Sequence, residues 1–137
     1  MPFAVGVGLS LAVSLFATAV GFDRARAFYP TLTIVIASYY GLFAVIGGGP
    51  RALLLESLVI AAFLFVAALG FKVNLWIVVA ALCAHGLFDL LHPRLIENAG
   101  VPVWWPMFCL AYDVTAGAYL AVLLGRSRVD LATETPP

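Results

Sequence analysis

The chain is built from apolar runs of sixteen to twenty-two residues, separated by short breaks of glycine, proline and charge. A helix needs about 17–25 mostly apolar residues to cross a bilayer. The runs lie at about 3–20, 31–46, 51–69, 73–92 and 103–124. Such a chain cannot fold as a water-exposed domain. Of its 137 residues 64% are hydrophobic and 10% charged, whereas a soluble domain carries roughly 25% charged residues. Mean hydropathy is +1.10. The expectation is an all-α integral membrane bundle, a single domain over residues 1–125, with five transmembrane helices and a polar tail at 126–137.

The breaks follow helix physics. Pro30 suits the first turn of the second run, where a fixed φ is preorganised. "GGGP" at 47–50 predicts a tight connection. Pro93 predicts that the fourth helix ends near His92. The first run has no basic n-region and is longer than the apolar stretch of a signal peptide, about 7–15 residues, so an uncleaved span is expected. Lys and Arg favour the cytoplasmic side. With the N-terminus outside, the inner segments hold Arg24, Arg26, Lys72, Arg126 and Arg128, and the outer ones Arg51 and Arg94. This predicts N-out, C-in, with Trp104 and Trp105 at the outer interface; four spans with one re-entrant segment is the alternative. The expected location is the inner membrane of a bacterium.

Net charge is zero, which gives no case for nucleic acid as a partner. Membrane lipids are the expected partners, with a second copy or another membrane protein as further possibilities. Cys83 and Cys109 read as small packing residues. No phosphate loop, nucleotide fingerprint or Ser-His-Asp arrangement is present.

One stretch, "AHGLFDLLHP" at 84–93, does not fit plain packing. At 100° per residue, Asp89 and His92 fall about 40° and about −20° from His85, on one narrow helical face. Such a stripe cannot face lipid, where a central charge costs about 2.5–3.5 kcal/mol on insertion scales. In the N-out arrangement Glu56, Asp113, Tyr39 and Tyr40 reach the same outer layer. The depths come to roughly 7 Å for Glu56, 10 Å for the tyrosines and His85, and 15 Å for Asp113. The spans hold three carboxylates and two imidazoles, and no Lys or Arg at depth. Arg51 or Arg94 could bend in from the rim; otherwise protonation, a metal or a cationic ligand must offset the surplus.

Imidazole with carboxylate suits zinc, iron or manganese. His85, Asp89 and His92 are therefore the candidate metal ligands, Glu56 and Asp113 candidate catalytic groups, and Tyr39 and Tyr40 candidate polar lining. His85 and His92 are roughly 10 Å apart along the axis, so two ions with Asp89 between them, or one ion using a single pair plus Glu56 or Asp113, would fit. Structural polar packing accounts for the same stripe equally well.

"AHGLFDLLHP", followed by "WWPMFCLAYDV", resembles small bacterial multi-spanning membrane proteins with an H-x3-D-x2-H motif. Related polar motifs occur in metal-dependent membrane oxygenases and hydrolases. The chain departs from the oxygenases in having only two histidines. Three functions follow from these residues: a metal-dependent enzyme acting on a lipid-phase substrate, a small proton- or cation-coupled transporter or channel subunit, and a non-catalytic accessory protein.

Overall fold

In the computed structural model, which describes residues 1–126, the chain is all-helical. Helix α1 spans Pro2–Val20, α2 Phe28–Phe43, α3 Gly49–Lys72, α4 Trp76–Leu95 and α5 Trp105–Gly125. Four helical stretches are long and apolar enough to cross a membrane: Pro2–Val20, Phe28–Lys72, Trp76–Leu95 and Trp105–Gly125. The second of these, 45 residues long, is not straight. A wide π turn, Ala44–Gly48, runs into Gly49 at φ 82, a left-handed conformation that glycine adopts without steric penalty. There the chain reverses, and α2 and α3 pack side by side.

Side-chain pairs fix the directions of the other helices. Gly70 meets Val78, Phe63 meets His85 and Glu56 meets His92, so α3 and α4 are antiparallel. Gly117 against Leu82 and Gly86 against Leu110 make α4 and α5 antiparallel. Ser10 donates to the Tyr112 carbonyl and Thr18 bonds the Tyr119 hydroxyl, so α1 and α5 run parallel. Helices α1, α3 and α5 therefore all start at the end that carries Trp104 and Trp105, here the tryptophan end.

The helix limits depart from the sequence expectation at several points. Helix α4 starts at Trp76, three residues late, because the Asn74 side chain accepts from the Trp76 N–H at 3.0 Å and forms a local turn. It also runs past Pro93 to Leu95. Pro93 removes one backbone donor, but Ile96 N–H still reaches the His92 carbonyl at 2.9 Å. Helix α2 begins at Phe28, so Pro30 still sits in its first turn, where no intrahelical donor is lost. The tail lies outside the described residues from position 127 on.

The outer surface is apolar, as a lipid-facing surface requires: Val45, Ile46, Leu54 and Phe65 are all well exposed. The interior is divided. Away from the tryptophan end, Leu75, Val78, Leu82 and Leu120 are each 0% exposed and form an apolar cluster, with Ser14, Asp23 and Thr33 also buried in that half. Toward the tryptophan end, Glu56, His85, Asp89, His92 and Asp113 are buried together.

Candidate metal centre

Helix α4 buries Val78, Leu82, His85, Asp89 and His92, spaced three and four apart on one face. The polar stripe thus continues the apolar one and points the same way, into the bundle. Helix α5 presents Cys109 and Asp113, again four apart. Because α4 runs to Leu95, His85 is ten residues, about 15 Å, from the helix end. That is about half the thickness of a hydrocarbon core of roughly 30 Å, deeper than the sequence estimate.

The stripe serves two groups. In the first, His85 Nδ1 lies 2.6 Å from Asp113 Oδ2 and 3.3 Å from Asp89 Oδ2. The Cys109 thiol donates to Asp113 Oδ2 at 3.8 Å. The Tyr40 hydroxyl donates to Asp89 Oδ1 at 2.6 Å, and Phe63 covers the His85 ring edge to face at 4.7 Å. In the second group, His92 Nε2 lies 2.6 Å from Glu56 Oε1, which also accepts from Asn98 Nδ2 at 2.9 Å. Asn98 further donates to the Tyr40 carbonyl at 3.2 Å. Tyr40 joins the groups: its hydroxyl serves Asp89 and its ring stacks on His92 at 4.0 Å and 18°.

Each candidate residue has a definite place. His85, Asp89 and Asp113 come together. His92 and Glu56 form a separate pair beyond Tyr40. Tyr39, by contrast, is 39% exposed and tilts against Trp105 instead. Arg51 and Arg94 stay exposed, and the buried carboxylates take imidazole, hydroxyl and amide partners. Two participants escape sequence reasoning. Cys109 reads there as packing, although its spacing of four to Asp113 was a usable signal. Asn98 carries none, since only the fold brings its connecting segment over α2 and α3.

His85, Asp89, Cys109 and Asp113 could hold a metal ion: one ligand atom from each lies within 4.8 Å of all the others, and all four residues are buried. The donor set of nitrogen, sulfur and two oxygens suits a borderline divalent ion such as zinc. Bonds of about 2.0–2.3 Å in a tetrahedron place ligand atoms roughly 3.3–3.8 Å apart. The His85–Asp89 and Cys109–Asp113 separations, 3.3 and 3.8 Å, match. The His85–Asp113 separation of 2.6 Å is that of a hydrogen bond, so this pair must release its shared proton and part by less than about 1 Å to admit an ion.

Hydrogen-bond satisfaction agrees with such an exchange. Asp89 Oδ2, Asp113 Oδ1 and His85 Nε2 are buried with no hydrogen-bond partner, an unusual concentration of orphans for a native interior. A cation would give buried acceptors of this group a partner.

Comparison of the chain with family models, curated proteins and solved structures finds no match.

Proposed function

We propose that this is a five-span membrane protein, N-terminus outside and C-terminus inside, of a bacterial inner membrane. In this reading it is a metal-dependent enzyme acting on a lipid-phase substrate. The observation that carries the metal reading is the buried group His85, Asp89, Cys109 and Asp113, whose ligand atoms lie within 4.8 Å of one another. A bound ion would polarise a carbonyl or activate water there. Tyr40 holds Asp89 in place, and the His92–Glu56 pair, one ring away, is the acid–base couple nearest the group.

Metal content tests the reading. Protein extracted without chelator should carry a near-stoichiometric divalent metal, strongly reduced in Asp89→Ala and Asp113→Ala. Metal-free wild type that cannot be reloaded with zinc, iron or manganese would sink it and leave the group as polar packing.

A further inference from the structure

Helix α1 packs closely on α5, and α2 on α3, but the α2 backbone stays largely clear of both α1 and α5. The space left among these three helices is a cavity of about 340 Å³. Leu9, Val35 and Tyr39, all exposed, form its mouth, and the buried Ile36, Cys109 and Tyr112 form its floor. The cavity therefore opens sideways onto the surface that faces lipid.

One wall is aromatic throughout. Ring contacts run from Tyr39 to Trp105 at 5.1 Å, on to Phe108 at 5.4 Å and to Tyr112 at 6.2 Å. A ring packed against rings gains more than its buried area alone provides. Two donors of this wall have no acceptor. The Tyr112 hydroxyl makes no hydrogen bond among the described residues, and two other cavity residues, Cys109 and Tyr39, are its electrostatic neighbours. The Trp105 indole N–H is buried without a partner. An indole N–H can only donate, and a phenol O–H donates readily, whereas a hydrocarbon chain offers neither an acceptor. Among the described residues the lining holds no Lys, Arg, Asp or Glu, so nothing there would balance a charged ligand. At about 340 Å³ the cavity is near the lower limit for ligand sites, roughly 300–1,000 Å³.

We infer that the α1–α2–α5 cavity binds a compact, uncharged ring bearing a carbonyl oxygen, taken up from the lipid phase. The ring lies against the aromatic wall, and its carbonyl accepts from the Tyr112 hydroxyl. Cys109 is both floor of the cavity and member of the candidate metal group, so the ligand is one side chain away from that group. As a substrate site the cavity rests on the proposed enzyme reading, in which a carbonyl is polarised. As a binding site it rests on its own shape and donors.

The test compares tritiated fluorenone, a planar ring ketone, with fluorene, the same rings without the carbonyl. The full chain is held in phosphatidylcholine liposomes, and binding is the excess of label over protein-free liposomes. Fluorenone should bind saturably, and fluorene roughly 3- to 10-fold more weakly, the effect of one hydrogen bond. The infrared carbonyl band of bound fluorenone should lie below its position in protein-free liposomes. Tyr112→Phe should remove that shift and bring fluorenone down to the affinity of fluorene, while fluorene binds as before. Loss of both rings in Tyr112→Phe would mean a structural role for the phenol and overturn the hydrogen bond. Val35→Trp, at the mouth, should exclude both rings. Equal affinity of the two rings for wild type overturns the carbonyl assignment without any variant. Excess label that never saturates means partition into surrounding lipid only, and overturns the site. Metal is measured on the same samples. Saturable fluorenone binding by metal-free protein upholds the cavity and removes the metal reading; full metal without saturable binding removes the cavity alone.

Discussion

At the scale of single residues, Tyr40 does more than any other side chain to tie the polar interior together. It is 1% exposed, donates to Asp89 through its hydroxyl and stacks on His92 through its ring. Tyr40→Phe keeps the stack and removes the donor, leaving Asp89 Oδ1 buried and unpaired. The expected cost is about 1–3 kcal/mol, read as a lower thermal midpoint in detergent. If the metal reading holds, metal affinity should also fall by about 10–100-fold, the usual effect of removing a group that orients a ligand. Tyr39→Phe should change neither, because Tyr39 faces Trp105. Equal losses in both variants would mean that Tyr40 contributes only bulk. The three members of the α4 stripe were legible in the sequence because a helix repeats every 3.6 residues. Their separation into two groups was not legible, since it depends on Asp113 arriving from α5 and Glu56 from α3. Spacing along one helix does not carry that information.

At the scale of elements, the tightest seam is between α1 and α5. A Cβ on Gly6 would collide with the Phe108 carbonyl and lie 3.0 Å from the Ala111 Cβ, and Ser10 and Ser14 continue the small-residue face. Close backbone approach of this kind supplies packing that apolar burial cannot supply in lipid. Gly6→Val should therefore part the helices and destabilise the protein by about 1–3 kcal/mol, as overpacking does. Gly8→Val, where nothing lies within 4 Å, should be close to neutral. Resistance to denaturing detergent would rank the two, and equal resistance would remove the seam from the account. The small residues of α1 are visible in the sequence, but not which helix they meet, because α5 is the most distant element along the chain. The helix ends show the same limit: Asn74 delays α4 and Pro93 fails to stop it, both through local hydrogen bonds that compete with propensity.

At the scale of the whole molecule, alternating helix directions put every odd helix start at the tryptophan end. Composition and run length made the all-α membrane class legible, since no other arrangement covers so much apolar surface. Sidedness is a matter of charge placement rather than packing. Arg24, Arg26 and Lys72 lie at the end opposite the tryptophans, and Arg51 and Arg94 near them. Three cations against two favour the end opposite the tryptophans as the cytoplasmic one through the positive-inside bias, so the tryptophan end should face outward. Single cysteines in a Cys83→Ala, Cys109→Ser background test this in intact cells. Glu97→Cys, in the segment beside Trp104, should react with a membrane-impermeant maleimide from outside. Asn74→Cys, between α3 and α4, should react only after the membrane is opened. The reverse pattern would invert the topology. Reaction of both from one side would show that α4, the one helix between the two positions, does not cross, and would replace five spans with an even count.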